Sequence, residues 1–311
     1  MKKISFTQNV KDELCSNEME TIERKKAFLS AYIKCEGVIS FRDKNSVLLL
    51  KFNNAKRAKY LYSLIKQLYD NGVNLSYYSK NKSRHYLIEV HDVDSLLEDL
   101  GVSFLEGKIS KDVVYDDETI ASYLGGVFLA CGSVNSPETS NYHLELSISN
   151  DNYAKWLLHL FPRYNRTNLQ PKLIFRRQRY VIYLKKSDQI ADFLLLIGAV
   201  NCCMDYENVR IDRDFINNAN RLTNLDTANM AKTLKSGKRQ QEEIKFLIDK
   251  YGLDNLGDEK TKLVIKYRLE MVSAPLEEIA SLISVDLDRY VSKSNVNHIF
   301  RKLHERYVAS K

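Results

Sequence analysis

The stretch Ser122–Val134 reads Ser-Tyr-Leu-Gly-Gly-Val-Phe-Leu-Ala-Cys-Gly-Ser-Val, and the earlier stretch Ala27–Ile39 reads Ala-Phe-Leu-Ser-Ala-Tyr-Ile-Lys-Cys-Glu-Gly-Val-Ile. Both are short apolar runs that contain small residues and stop at a glycine followed by strand-like residues. A glycine inside a helix costs about 1 kcal/mol relative to alanine, so the pair Gly125-Gly126 needs a structural reason. Because glycine lacks a Cβ atom, it allows two helix axes to approach closely. We therefore predict two helices packed face to face, with the first part of the chain built around them.

The chain repeats one unit of secondary structure at an offset of about 95 residues. Each copy is predicted to contain helix, strand, strand, helix, strand, strand and helix. When the two copies are aligned, the matching stretches are Leu29–Gly37 with Leu124–Gly132, Leu48–Asn54 with Leu144–Asn150, Lys59–Leu61 with Lys155–Leu157, and Tyr86–Ile88 with Tyr180–Ile182. The predicted fold class is α+β, with a duplicated αββαββα domain over residues 1–205 and repeats at about 22–105 and 117–202.

The segment 5–26 is predicted to form a single amphipathic helix. Val10, Leu14 and Met19 recur there among charged residues, as they do on the apolar side of a surface helix. A helix that covers one side of a sheet is the simplest interpretation of this segment.

The composition limits the classes of protein to which the chain can belong. It has 311 residues, a net charge of +7 and five cysteines, none of them spaced Cys-x-x-Cys. This cysteine usage predicts free thiols in a cytoplasmic protein, without a zinc site or a disulfide framework. No apolar run reaches the ~18–20 residues of a membrane span, and the start of the chain does not resemble a secretory signal.

Charge is strongly segregated in the second copy of the repeat. No acidic residue lies between Asp151 and Asp188, whereas basic residues recur throughout and are interleaved with tyrosines. Such a run is usually a solvated surface, but its position on predicted strands favours a surface that faces a polyanion. The candidate DNA-contacting residues here are Arg176, Arg177, Arg179 and Lys185. The first copy has a weaker equivalent at Lys80–Arg84.

The last third of the chain is predicted to be helical. Residues 206–240 are rich in Asn, Thr and Lys and are expected to form a solvated helical linker, with phosphate contacts as the alternative. In the domain expected over residues 241–311, the predicted helices are Glu242–Tyr251, Glu259–Met271, Leu276–Ile283 and Lys293–Val308.

The last two of these helices, joined by a connector over Ser284–Val291, have the layout of a helix-turn-helix. The second helix of that motif enters the major groove, where Lys and Arg contact guanine and Asn contacts adenine. The apolar residues Val296, Ile299, Phe300 and Leu303 share one face. The candidate DNA-contacting residues are Ser292, Lys293, Ser294, Asn295, Asn297, His298, Arg301 and Lys302. An ordinary helical bundle with a charged outer face is the alternative.

The two opening stretches resemble degenerate copies of the LAGLIDADG motif of homing endonucleases, and their combination with a helix-turn-helix is similar to the WhiA family of bacterial transcription regulators. Further matching stretches include Phe6–Leu14, Gly132–Glu138, Glu207–Arg210, Asn220–Asn229 and Val291–His298. The resemblance covers almost the whole chain and implies a role in transcription, cell division and chromosome segregation. One departure is the connector Ser284–Tyr290, which looks longer and more acidic than is usual in the family.

The residues at the motif ends argue against nuclease chemistry. In the endonucleases that the motif resembles, an acid precedes the last glycine of each copy and holds a divalent metal. Here these positions are Glu36 and Cys131, and a thiol is poorly matched to Mg²⁺, which prefers carboxylate oxygen. Lys34 is also expected to compete electrostatically with a metal. We predict no catalytic residue, no metal site, no cofactor and no enzyme activity.

The sequence thus predicts a sequence-specific DNA-binding transcription regulator that is cytoplasmic and associated with the nucleoid. Its expected partner is double-stranded DNA, with another transcription factor or RNA polymerase as a further candidate and no membrane partner. The oligomeric state is left open. Two alternatives remain: an interaction scaffold whose duplicated domain docks a protein or a small ligand, and a residual metal-dependent endonuclease at Glu36.

Overall fold

The computed structural model describes residues 4–42, 45–69, 72–80, 83–139 and 141–311. The chain divides into two compact units, with the boundary between Arg213 and Asp214. Within the described ranges, no helix has the combination of length and apolar character that crossing a membrane requires.

The first unit begins with helix α1 (Phe6–Leu14), which is followed by the first repeat. The elements of that repeat are α2 (Ile22–Glu36), β1 (Val38–Arg42), β2 (Asn45–Phe52), α3 (Ala55–Leu68), β3 (Val73–Lys80), β4 (Ser83–Val90) and α4 (Val93–Asp99). Its four strands form an antiparallel sheet in the order β1-β2-β4-β3.

The second repeat has the same order of elements. These are α5 (Asp117–Cys131), β5 (Gly132–Val134), β6 (Leu144–Ile148), α6 (Asp151–Leu160), β7 (Lys172–Arg176), β8 (Arg179–Leu184) and α7 (Ser187–Leu196). The second sheet has the order β5-β6-β8-β7, which reproduces the order of the first. The predicted duplicated αββαββα domain and the α+β fold class are confirmed.

Strand register provides an independent check on the repeat. Leu48 on β2 lies opposite Val90 on β4, and the residue matched to Leu48, Leu144 on β6, lies opposite Leu184 on β8. At the other end of these strands, Tyr180 lies opposite Ile148, as Tyr86 does opposite Phe52. The two sheets therefore share one register as well as one topology.

Helices α2 and α5 pack against each other in the core of the first unit, and Gly126 is the point of closest approach. A Cβ atom at Gly126 would lie 2.3 Å from the carbonyl oxygen of Phe28 and 2.9 Å from the Cβ atom of Ala31. At Gly125 the nearest atom would be 3.4 Å away, which is an ordinary contact. The prediction that glycine permits the close approach is confirmed, and Gly126 is the residue that requires it.

The single helix predicted over residues 5–26 is wrong, because the chain leaves the helix after Leu14. The hydroxyl of Thr21 accepts a hydrogen bond from the backbone N–H of Arg24, at 3.3 Å, and caps the start of α2. Threonine is a favoured residue at this position because its oxygen satisfies an N–H group that has no partner in the helix. The break between α1 and α2 was not predicted because apolar residues recur in both segments.

A single 52-residue helix, α8 (Val200–Tyr251), contains the whole segment 206–240. Between residues 214 and 235, all but one of its side chains are exposed, including the large apolar side chains of Phe215 and Met230. The carboxylate of Glu13 accepts hydrogen bonds from the backbone N–H groups of Asn201 and Cys202, at 2.7 and 2.8 Å. Glu13 therefore satisfies two of the free N–H groups at the start of α8.

Three further helices complete the second unit: α9 (Glu259–Glu270), α10 (Leu276–Asp286) and α11 (Lys293–Ser310). They pack around a core that includes Ile265, Ile279, Phe300 and Leu303. Arg268 is also fully buried in this unit and donates hydrogen bonds to the carbonyl oxygens of three residues in the loop after α9, namely Met271, Val272 and Ala274, at 3.2, 3.0 and 2.8 Å.

The connector of the helix-turn-helix is shorter than predicted, because α10 continues to Asp286. The backbone N–H of Arg289 donates to the carbonyl oxygen of Ser284, and that of Asp288 donates to the carbonyl oxygen of Val285. Asp288 has a φ of 49°, the left-handed conformation that such a helix end needs. Aspartate tolerates this conformation better than most residues, so a turn forms without the glycine that would have marked it in the sequence.

Candidate nucleic-acid interfaces

The face of α11 that points away from the core is polar and mostly basic. Val296, Phe300 and Leu303 are buried and Ile299 is half-buried. All the candidate residues on this helix except the half-buried Ser292 are exposed: Lys293, Ser294, Asn295, Asn297, His298, Arg301 and Lys302. The structure brings these seven together on one helix surface, as a recognition helix requires.

Ser292 has a structural function at the start of α11. Its hydroxyl accepts a hydrogen bond from the backbone N–H of Asn295, at 3.2 Å, and so caps the helix. Lys293 lies 3.9 Å from Glu277 at the start of α10, and Arg301 lies 3.9 Å from Glu305 on α11. These two pairs are exposed, and ion pairs of that kind contribute little to stability. Both cations therefore remain available to a partner.

A groove between α11 and the start of α9 adds cations that the sequence pattern did not single out. It has a volume of about 470 Å³, and its lining includes His298, Lys302 and Arg306 from α11 together with Lys260 from α9. Lys260 follows the α9 cap Asp258. Because Lys260 is far from α11 along the chain, the sequence did not indicate that it lines the same groove.

The solvent-facing side of the second sheet, which we call the basic sheet face, collects the other candidate residues. Strand alternation and register place Lys172, Arg176, Arg179 and Tyr183 on this side. The ammonium group of Lys185 lies 5.4 Å from the ring centroid of Tyr183 and joins them. Basic groups and an aromatic ring on one surface are typical of nucleic-acid contacts.

The arginines of the basic sheet face are held by the sheet itself. Arg176 forms an ion pair with Glu145, at 2.9 Å, and Arg179 donates to the hydroxyl and the carbonyl oxygen of Ser147, at 2.8 and 2.7 Å. Arg177 lies in the β7–β8 turn with a φ of 50° and is exposed. The first sheet has a less basic counterpart, of which Asn81 and Lys82 lie outside the described residues.

Positive charges from other elements act on Glu36, the acid at the end of α2. Burial raises the pKa of Glu36, and the cations of Arg179, Lys11 and Arg57 act in the opposite direction. Burial lowers the pKa of Lys11 to about 8, with the neighbouring Arg57 acting in the same direction. The charges of three cationic side chains thus act on a single carboxylate, a set that does not fit a divalent metal.

Lys34 was expected to compete electrostatically with a metal at Glu36, but its ammonium group is directed elsewhere. Its ammonium group donates to the carbonyl oxygens of Ser103 and Glu106, the latter at 2.5 Å. The cations whose charges act on Glu36 include Lys11 and Arg57, which belong to α1 and α3. Their effect on the motif end was therefore not visible in the sequence.

Two thiols meet at the same end of the helix pair. A hydrogen bond with the side chain of Cys131, together with burial, raises the pKa of Cys35 well above its ordinary value. Both cysteines are free thiols, and the thiol of Cys131 donates to the carbonyl oxygen of Val127, at 3.4 Å. Cys131, at the position equivalent to Glu36, therefore places its thiol beside the thiol of Cys35. Among the described residues, no three His, Cys, Asp or Glu side chains are placed to hold a metal ion.

The two units together define a protein that joins a LAGLIDADG-like domain to a helix-turn-helix domain. Three family models match the chain: the WhiA N-terminal LAGLIDADG-like domain over residues 23–103, the WhiA LAGLIDADG-like domain over 120–216 and the WhiA C-terminal HTH domain over 219–307. The chain belongs to the WhiA family.

Relatives in other bacteria match over nearly their whole length. The chain is 36% identical to the probable cell division protein WhiA of Latilactobacillus sakei subsp. sakei, over 97% of this chain and 96% of that protein. It is 38% identical to the protein of the same name from Lactobacillus acidophilus, over 97% of each. The crystal structure of full-length WhiA from Thermatoga maritima is similar in fold, with a TM-score of 0.61 and 21% identity, over 98% of this chain and 99% of that one.

Proposed function

We propose that this protein is a sequence-specific DNA-binding regulator of transcription that acts in cell division, in the cytoplasm and on the nucleoid. In this proposal α11 reads base edges in the major groove, and the basic sheet face contacts backbone phosphates. The names of the relatives support the link to cell division. A role in chromosome segregation, and contact with another transcription factor or RNA polymerase, rest on the family resemblance alone.

The observation that carries the proposal is the division of α11 into two faces. Its apolar side chains close the core of the second unit, and its outward side chains are amides, hydroxyls and cations. Arg301 and Asn297 are of the residue types that form paired hydrogen bonds with guanine and adenine. A helix of this kind following α10 and a short connector suits major-groove readout.

The cations around Glu36 support the absence of nuclease activity. Two-metal hydrolysis of a phosphodiester requires carboxylates that hold both ions against the scissile phosphates. Here the charges of Lys11, Arg57 and Arg179 act on one carboxylate, Glu36. A thiol, Cys131, stands at the position of the second carboxylate. Of these cations, the exposed Arg179 also belongs to the basic sheet face, which suits a surface that holds a phosphate backbone without cutting it.

The test is genome-wide mapping of DNA bound to the protein in its source bacterium, followed by binding of the purified full-length protein to a recovered duplex and to a random-sequence duplex. We expect discrete bound sites and tighter binding to the recovered duplex. Uniform occupancy of the genome with equal affinity for both duplexes would contradict sequence-specific regulation. Efficient nicking of supercoiled plasmid in Mg²⁺ or Mn²⁺ would favour an endonuclease instead.

A further inference from the structure

Helix α8 carries a polar surface made of residues that belong to neither interface described above. At ~100° per residue, every Lys and Arg between residues 214 and 239 falls on roughly one third of the helix circumference. Three asparagines fall on the same third. We call this surface the basic arc, and its members are Asn217, Asn220, Arg221, Asn224, Lys232, Lys235, Lys238 and Arg239.

The other residues of the same segment are distributed differently. The exposed apolar side chains of Phe215, Leu222 and Met230 lie outside the arc, as does Asp226. Asp214 lies at its border. The segregation of positive charge is thus a property of the folded helix and not simply of a basic stretch of sequence.

Four of the five cations of the basic arc have no partners among the described residues. Arg221, Lys232, Lys235 and Lys238 are exposed, and in that part of the chain none of them makes a hydrogen bond or an ion pair. Arg239 is the exception, at 3.7 Å from Glu243. By contrast, Arg210, earlier on the same helix, pairs with Glu207 at 2.6 Å and with Asp188 at 3.2 Å.

The arrangement costs stability in the isolated helix. Lys232, Lys235 and Lys238 are three residues apart, and like charges at that spacing repel one another. Asparagine is also a poor helix former, and none of Asn217, Asn220 and Asn224 contributes to a core, since all three are exposed. A bound polyanion would offset the repulsion by neutralising the lysines.

The dimensions of the basic arc match a nucleic-acid backbone. From Arg221 to Lys238 the helix rises about 26 Å, at 1.5 Å per residue, along which B-DNA presents one negative charge per ~1.7 Å. Two small residues, Ala228 and Ala231, occupy the middle of the arc, so a backbone can approach there while the long cations reach out on either side.

We propose that the basic arc binds the phosphate backbone of double-stranded DNA, as a surface that adds affinity without reading sequence. This inference rests on the proposed function, because it concerns the same ligand. Phosphate contacts fix position and register on a duplex but carry no base information. The basic arc therefore changes how tightly the protein holds DNA and leaves its choice of site to α11.

The test compares two charge-matched variants of the full-length protein. One carries Lys232→Gln, Lys235→Gln and Lys238→Gln. The control carries Lys56→Gln, Lys59→Gln and Lys66→Gln, which remove three exposed lysines of α3. Fluorescence anisotropy measures binding to a random-sequence duplex and to a duplex recovered by genome mapping, each at several salt concentrations.

We expect the basic-arc variant to bind both duplexes about tenfold or more less tightly, and its plot of log K against log salt to flatten by up to about 0.9 for each phosphate that the lysines no longer neutralise. The ratio of the two affinities should stay constant, and the control should match the wild type. A further variant with Lys232→Arg, Lys235→Arg and Lys238→Arg should retain the wild-type slope. Circular dichroism establishes that all variants keep the helix content of the wild type.

Two results would overturn the inference, and they can be told apart. If the wild type binds DNA and the basic-arc variant behaves like the control, only the inference fails and the proposed function stands. If the wild type binds neither duplex, the proposed function fails and the inference fails with it.

Discussion

Arg179 donates two hydrogen bonds to Ser147, one to its hydroxyl at 2.8 Å and one to its carbonyl oxygen at 2.7 Å. These bonds hold the guanidinium at the end of the helix pair, where its charge acts on Glu36. A fixed cation thus occupies the neighbourhood in which a nuclease would need a metal. The loss of catalysis that we propose involves a change of charge as well as the replacement of one acid.

Restoring the second acid alone should not restore cutting. We expect Cys131→Asp to leave supercoiled plasmid intact in Mg²⁺ or Mn²⁺, because Lys11, Arg57 and Arg179 still repel a divalent cation. Gel analysis of plasmid nicking measures this, with Cys131→Asn as a control of similar size that adds no charge. Efficient cutting by the Asp variant but not by the Asn variant would show that adding one carboxylate at position 131 is enough to restore cutting.

Lys11 should make stability depend on pH in a defined window. Its pKa falls from 10.5 to about 8 in the folded protein, so between these values the unfolded chain binds more protons and the folded state gains stability as pH rises. At pH 7 the burial penalty is fully present, and Lys11→Met should be more stable than the wild type by up to roughly 3 kcal/mol. This difference in the free energy of unfolding should become smaller as the pH rises from 8 to 10.5.

Urea unfolding of both proteins at several pH values measures this gap. Lys25→Met, at a less buried position on α2, serves as the control, and its gap to the wild type should not vary in the same way. A constant gap between Lys11→Met and the wild type would contradict a lowered pKa in the folded state.

Arg301 should contribute to base recognition. If it reads a base, Arg301→Ala should cost about 1–3 kcal/mol with the recovered duplex and relax preference at one base pair. Binding to duplexes substituted one base pair at a time measures both effects. Lys245→Ala, which removes one exposed charge from α8, should preserve the preference at every position. An unchanged profile for Arg301→Ala would remove this residue from the interface.

The basic sheet face and its turn should contribute affinity and not preference. We expect Arg177→Gln with Lys185→Gln to weaken binding to all duplexes alike and to reduce the salt slope by about 0.9 for each phosphate that is no longer neutralised. The control is Arg166→Gln with Lys155→Gln, since these cations pair with Glu118 and Asp151 elsewhere in the second repeat. Equal reductions in affinity for the two double variants would argue for general electrostatics and against a specific surface.

Arg268 should be essential to the second unit. Arg268→Leu leaves the carbonyl oxygens of Met271, Val272 and Ala274 without this donor and should cost about 2–4 kcal/mol, since buried acceptors without their charged donor are expensive. Denaturant unfolding measures the change in stability. Lys266→Leu, an exposed position on the same helix, should change stability little. A second unit as stable as the wild type in Arg268→Leu would show that water replaces the guanidinium.

The repeat could be predicted because it is encoded in local patterns. Gly37 and Gly132, together with the matched strands, repeat at an offset of about 95 residues. The period of two along each strand fixes which side is buried. The helix break before Ile22 was not predicted, and the predicted connector over Ser284–Val291 began too early, because α10 continues to Asp286. Capping residues and left-handed residues give weak signals when glycine is absent. The charges that Lys11 and Arg57 exert on Glu36 come from two other helices. No single stretch of sequence shows that these three helices come together.

The close approach of Gly126 to the backbone of Phe28 has a consequence for how such a chain can arise. Each repeat buries the inner surface of its first helix against the first helix of the other repeat. A gene that encoded one repeat alone would produce a polypeptide obliged to pair with its own copy. Fusion of two such genes would allow each half to diverge. A half without the acid of its motif, such as the half that contains Cys131, would still be needed because its first helix packs against the other half.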